Sequence, residues 1–210
     1  MCWNTQRPYI IAAPLAFAII LLGILISAPL DTKWDIMGNY DLSDLGNYTT
    51  RTFACAIVFN VSCCISGALL LLFGVGKYRF ENGLNKVSGA FFILGGVGLF
   101  LLGILTVDED PDHTAHNIAA GIFAISTSTA VVLSTVSDIM KGDKMVLYSS
   151  IAILVLLVGG WVVFELTLGV LSNARSELLA IGCVAIWFMI QLYKYYRQGK
   201  LSPGHETVPE

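Results

Sequence analysis

Residues 87–107 read VSGAFFILGGVGLFLLGILTV, and this stretch decides the fold class because it carries no charged residue from end to end. A helix needs about 20 apolar residues to cross the hydrocarbon core of a bilayer. Backbone groups inside lipid must bond within their own segment, so the stretch predicts a membrane-spanning helix. Five further stretches have the same character, and they cover residues 8–29, 52–75, 117–139, 145–170 and 176–194.

The composition of the whole chain agrees with this prediction. Of its 210 residues, 56% are hydrophobic and 13% are charged, whereas a soluble domain carries roughly a quarter charged residues. Such a balance excludes a disordered chain, and a net charge of −3 without a basic block argues against nucleic acid as a partner. We predict an all-α polytopic membrane protein with six transmembrane helices in one bundle over residues 1–200, followed by a disordered tail over 201–210.

The basic residues predict how the bundle is oriented. Nine Lys and Arg residues lie before span one and after spans two, four and six, and three lie in the other connections. Because cytoplasmic connections are enriched in Lys and Arg, both termini are expected in the cytoplasm, with the protein in the cell membrane. The acidic residues gather in the connections that then face outward. An Asn47-Tyr48-Thr49 glycosylation sequon lies in the first of them.

Three glycines of span three are spaced by seven residues and fall on one helix face: Gly89, Gly96 and Gly103. Small residues allow helix backbones to approach closely in lipid. The spacing predicts a packing face, with a groove for a lipid chain as the alternative.

The second outward connection holds most of the candidate chemistry. Residues 108–116 contain four carboxylates and two histidines. If span four begins near Asp112, His113 and His116 lie one turn apart on one face, and Asp112 and Asp44 could complete a zinc site that activates water. In the alternative interpretation Asp112 caps the start of the helix, and His116 bonds a neighbouring loop.

Two polar residues lie inside predicted spans. Glu165 is in span five, and an ionisable residue within a span by default predicts a function, although near the outward end it could simply reach water. Asn60 in span two is interpreted as a hydrogen-bonding strut.

Several of these positions together resemble a known family. The residues are Leu42-Ser43-Asp44-Leu45-Gly46 in the first outward connection, Arg51 and Phe53 opening span two, Asn60 within it, the glycine-rich span three, and His116 opening span four. Over about residues 10–193 the chain resembles the six-span membrane family DUF998, and more distantly the Frag1/DRAM-like membrane proteins. The resemblance implies that Ser43, Asp44, Arg51, Asn60 and His116 lie together at the outward side, either as a site or as a network that pins the loop.

The family has no agreed activity, and the Frag1/DRAM likeness implies membrane-lipid biology. We therefore expect a protein that binds membrane lipids, a partner membrane protein or a second copy of itself through its outward side. The alternatives are a metal-dependent intramembrane hydrolase or transferase acting on lipids, with zinc held by His113, His116, Asp112 and Asp44, and a small proton-coupled transporter that uses Glu165. The candidate outward cluster comprises Ser43, Asp44, Arg51, Asn60, Asp112, His113, His116 and Glu165.

Overall fold

The computed structural model describes residues 7–36, 40–106, 113–168 and 173–197, and it contains six α-helices. They are α1 Arg7–Ser27, α2 Phe53–Phe80, α3 Leu84–Leu102, α4 Thr114–Met140, α5 Lys144–Leu168 and α6 Asn173–Arg197. Two short 3₁₀ segments, Ala28–Leu30 and Leu42–Gly46, lie in the α1–α2 loop. No strand occurs among these residues, so the prediction of an all-α chain is confirmed.

The helices have the length and composition of membrane spans. Five of them are long and apolar enough to cross a bilayer, covering Pro8–Leu30, Phe53–Phe80, Leu84–Leu102, Thr114–Met140 and Ala174–Arg197. The side chains of α5 are described only in part, and over the described residues its apolar stretch covers Lys144–Gly160. The prediction of a membrane protein with several transmembrane helices is therefore confirmed, and five of the six predicted spans are supported by length and composition.

The connection between the spans predicted over residues 52–75 and 87–107 is shorter than those bounds imply. Helix α2 continues to Phe80, and α3 begins at Leu84 after a turn in which Gly83 has a φ of 58°. Lys and Arg are good helix formers, and in this part of α2 Lys77 is buried and donates to Asn85 Oδ1 at 3.0 Å. Basic residues in the last helical turn also interact favourably with the helix dipole. The charged residues therefore predicted the position of the α2–α3 connection correctly but overestimated its length.

The glycine stripe of α3 packs against α2. A Cβ atom added at Gly89, Gly96 or Gly103 would lie 2.5 Å from a backbone atom of α2 in each case. Only glycine allows an approach this close. The packing-face interpretation is therefore confirmed, and the stripe does not form a groove for a lipid chain.

An aromatic cluster forms the centre of the bundle and joins four helices. Its rings come from α1, α2, α3 and α6, with centroid separations between 5.0 and 6.2 Å. Aromatic pairs at these distances add to the stabilisation that burial alone provides. The members are Phe17, Phe73, Phe92, Trp187 and Phe188.

The two ends of the bundle differ in how the helices are joined. We call the end that carries the α1–α2 loop the loop end, and the end that carries the α2–α3 and α4–α5 turns the tail end. Near the tail end, Asp138 of α4 pairs with Lys194 Nζ at 2.5 Å and accepts from Gln191 Nε2 at 3.1 Å. Trp187 Nε1 donates to Thr135 Oγ1 at 3.1 Å. Side chains of α4 and α6 therefore meet in the tail half, and in the loop half the same two helices line a cavity.

Candidate functional site

A cavity of about 280 Å³ lies at the loop end, among α1, α2, α3, α4 and α6 and beside the Leu42–Gly46 segment. Its size is close to the lower end of the range for small-molecule sites, about 300 Å³. Most of its wall is apolar and comes from all five helices. Representative apolar lining residues are Phe17, Ile20, Phe59, Leu99, Phe123 and Val184.

The cavity is polar at one end and apolar along its depth. Its polar end consists of two loop residues, two residues from the first turn of α4 and one from the start of α6, namely Asp41, Ser43, His116, Asn117 and Glu177. Along α4 the lining runs from His116 to Ser128, which corresponds to about 18 Å of helix. A molecule with a polar head and an apolar chain matches this distribution of surface.

Two threonine hydroxyls in the cavity wall have no hydrogen-bond partner within the described part of the chain. Thr106 and Thr127 both line the cavity, and each residue is 4% exposed. A buried polar group that lacks a partner costs about 1–3 kcal/mol, and such groups are rare in native structures. The wall therefore contains hydrogen-bonding capacity that a polar atom entering the cavity could use.

The roof of the cavity is the α1–α2 loop, and α2 fixes it in place. Asn60 Nδ2 donates to the Gly46 carbonyl at 2.9 Å, and Arg51 Nε donates to the Asp44 carbonyl at 3.3 Å. The Asp44 carboxylate accepts from the Asp41 amide at 2.9 Å, at the start of the 3₁₀ segment. Asp44 and Arg51 thus shape the loop, whereas Asn60 both holds the loop and lines the cavity.

Helix α6 holds the same loop from its other side. The Leu42 amide donates to Glu177 Oε2 at 2.8 Å, the Ala174 amide donates to the Tyr40 carbonyl at 3.0 Å, and Arg175 Nε donates to the Ile36 carbonyl at 3.0 Å. These three bonds connect residues more than 130 positions apart in the chain. The bond from Leu42 attaches the loop to Glu177, which also lines the cavity.

The two histidines of the predicted metal site occupy different environments. His116 is buried, and its Nδ1 lies 2.7 Å from the Leu105 carbonyl. A carbonyl oxygen only accepts, so Nδ1 carries the proton in this bond. His113 is exposed and is the N-cap residue of α4, with a φ of 52°. Helix α4 begins at Thr114, and the expectation that Asp112 caps it concerns a residue outside the described ones.

The zinc prediction for His113, His116, Asp112 and Asp44 remains open. Within the described ranges, which stop at Thr106 and resume at His113, no group of three or more His, Cys, Asp or Glu residues could hold a metal ion. Asp112 lies outside the described residues. The bond to Leu105 leaves the His116 Nε2 as the ring nitrogen that could bind a ligand.

The cluster predicted from the sequence is brought together only in part. Ser43, Asn60 and His116 line the cavity, and Asp44 and Arg51 belong to the loop network beside it. Glu165 lies in α5, but its side chain is outside the described residues, as is the whole of Asp112.

Sequence reasoning missed six polar residues of the cavity lining: Asp41, Thr106, Asn117, Thr127, Ser128 and Glu177. The position of Glu177 offered a usable signal, because it is a carboxylate in the second turn of an otherwise apolar span. The same rule that singled out Glu165 applies to it.

Comparison with known proteins identifies the family. The model of the family described as "Protein of unknown function (DUF998)" matches residues 10–192. No curated protein and no solved structure gives a significant match to the chain. The more distant likeness to Frag1/DRAM-like proteins is not confirmed. Because the match covers most of the chain, this protein belongs to the DUF998 family.

Proposed function

We propose that this protein binds a single membrane amphiphile, with the apolar chain against the cavity walls and the polar head at the polar end. The observation that carries the proposal is the pair of unpartnered hydroxyls in an otherwise apolar wall, Thr106 and Thr127. A purely hydrocarbon ligand would leave both hydroxyls unpaired at a cost. A polar head could pair with Thr106, which follows the Leu105 whose carbonyl bonds His116. Thr127 lies about 16 Å further along α4 than His116 and would need bound water.

The size of the cavity limits what it can hold. An engineered cavity of about 150 Å³ binds benzene, so the present cavity of about 280 Å³ has room for roughly a dozen non-hydrogen atoms. That corresponds to one short chain, or to one chain end and the head of a longer lipid. We therefore propose membrane lipids or single-chain amphiphiles as the partners.

Transfer of the apolar chain contributes little net affinity. Lipid is as apolar as the cavity wall, so an acyl chain gains little by leaving the bilayer. Discrimination must come from the polar end, where a head group exchanges water for the hydrogen-bonding groups of Asp41, His116 and Glu177.

The proposal includes an orientation in the membrane. Six spans with both termini in the cytoplasm place the α1–α2 loop and the cavity at the outward face of the cell membrane. The distribution of Lys and Arg supports this orientation. A tag at either terminus that could be reached from outside intact cells would contradict it.

Native mass spectrometry of the full chain, released from membranes in mild detergent, tests the binding function. We expect an amphiphile bound at about one per chain. Ala120→Phe, which fills the cavity wall, should remove it. Ala54→Phe, at an exposed position of α2, should retain it. Wild-type protein without a bound amphiphile, or equal occupancy in the two variants, would contradict the proposal.

A further inference from the structure

The polar end of the cavity holds two carboxyl groups, and its lining contains no basic residue among the described residues. Asp41 and Glu177 both line it. Among the described residues that line the cavity there is no Lys and no Arg. Carboxyl groups that line one ligand site favour a positively charged ligand, because an opposite charge beside them stabilises their ionised form.

The nearest guanidinium groups are directed to the loop. Arg51 Nε lies 3.9 Å from Asp31 Oδ2 and donates to the Asp44 carbonyl, and the Arg51 guanidinium lies 4.6 Å from the centre of the Tyr40 ring. Arg175 Nε donates to the Ile36 carbonyl. Each of these bonds joins the guanidinium to the loop, and neither residue lines the cavity.

The imidazole ring of His116, at the polar end, also favours a ligand head that donates hydrogen bonds. The His116 Nδ1–H is committed to the Leu105 carbonyl, so in the neutral ring Nε2 is an acceptor. A ligand head at this end therefore meets two carboxylates and one imidazole acceptor. The hydroxyl of Ser43 and the amide of Asn117 can serve either as donor or as acceptor.

We infer that the amphiphile is cationic, with a primary ammonium head on a single apolar chain. This inference rests on the proposed function and specifies the class of ligand. An ammonium group offers three donors and no acceptor, and its hydrogen bonds to carboxylates are about twice as strong as neutral ones. A carboxylate or phosphate head would instead face two like charges with no Lys or Arg in the lining to bind it.

Three probes that share one chain and differ in charge test the inference. They are decylamine, decanol and decanoate, each of about the size that the cavity can hold. Binding to the full chain in phosphatidylcholine nanodiscs is measured by equilibrium dialysis at pH 7, with empty nanodiscs as the blank for partitioning into lipid. We expect decylamine to bind at least tenfold more tightly than decanoate, with decanol between them.

Two matched variants assign the preference to the cavity. Glu177→Gln removes the charge but keeps an amide oxygen that can accept from Leu42, so the loop stays attached. It should reduce the preference for decylamine over decanoate to less than about threefold. Glu81→Gln removes a carboxylate near the tail end and should leave the preference unchanged.

The outcomes separate this inference from the proposed function. Binding of all three probes with equal affinity, or a preference for decanoate, would overturn the inference. If Ala120→Phe still abolished that binding, the cavity function would stand. Binding that never exceeds the blank, or that Ala120→Phe leaves intact, would overturn the proposed function itself.

Discussion

Replacement of Asn60 by alanine should release the roof of the cavity while the bundle stays folded. Asn60 is 4% exposed, and its Nδ2 donates to the Gly46 carbonyl at 2.9 Å. The substitution leaves that carbonyl, in a buried glycine, without its side-chain partner. Such a loss costs about 1–3 kcal/mol. The cost falls on the loop, because the backbone bonds within α2 do not depend on this side chain.

Hydrogen exchange of the loop amides measures this effect. The Asn47 amide donates to the Asp44 carbonyl at 3.2 Å and the Arg51 amide to the Asn47 carbonyl at 3.1 Å, so both are protected while the loop is closed. If the full cost appears as local opening, their exchange should accelerate about 5- to 150-fold. Amides at the tail end should exchange at the wild-type rate.

Ser62→Ala is the matched control, since Ser62 lies on the same helix and donates to the Val58 carbonyl of its own helix at 2.7 Å. Its loss removes no bond to the loop and should change loop exchange by less than about twofold. If Asn60→Ala left the loop protected, or if Ser62→Ala exposed it equally, the assignment of Asn60 as the loop's attachment to α2 would be refuted.

Three further predictions concern packing, charge and metal. Gly96→Ala should destabilise the fold by about 1–3 kcal/mol, because its Cβ would lie 2.5 Å from the backbone of α2. The control Gly182→Ala, whose Cβ would meet nothing within 4 Å, should be neutral or stabilising by up to about 1 kcal/mol. Unfolding in denaturant compares the stability of the two variants. Asp138→Ala should lower the free energy of unfolding by about 3–5 kcal/mol, because it leaves Lys194 unpaired. Adding Lys194→Met should recover part of this loss. A double-mutant cycle that shows no coupling between the two positions would contradict the ion pair. If the zinc prediction holds, metal analysis should find one zinc per chain and His116→Ala should lose it; wild-type protein without zinc would contradict that prediction.

The helices were largely predictable because crossing a bilayer imposes a length and an apolar composition on each span. The errors occur at helix ends, where contacts in the folded protein set the local structure. Nothing in the local pattern shows that Lys77 would be buried against Asn85, in the part of α2 that continues past the apolar stretch. Helix α4 begins at Thr114, close to the predicted start near Asp112, but the left-handed conformation of His113 before it is a property of the folded connection that the sequence did not show.

The cavity was less predictable than the helices. Ser43, Asn60 and His116 were found through a motif, and all three line it. Thr106 and Thr127 were missed because they become distinctive only when five helices pack around a space that leaves their hydroxyls unpaired. A periodic sequence pattern predicts which face of a single helix is buried. It cannot predict a cavity that several helices enclose together.

The attachment of the α1–α2 loop to α6 has a consequence for the order in which the protein is made. The Leu42 amide and the Tyr40 carbonyl are translated before α3, yet their partners, Glu177 and Ala174, belong to the last helix. While the ribosome is still adding the middle helices, these backbone groups lack their final partners. The α1–α2 loop is therefore attached to α6 only late in synthesis. A chain that stopped before α6 would expose this loop, unattached, to the proteases that remove incomplete membrane proteins.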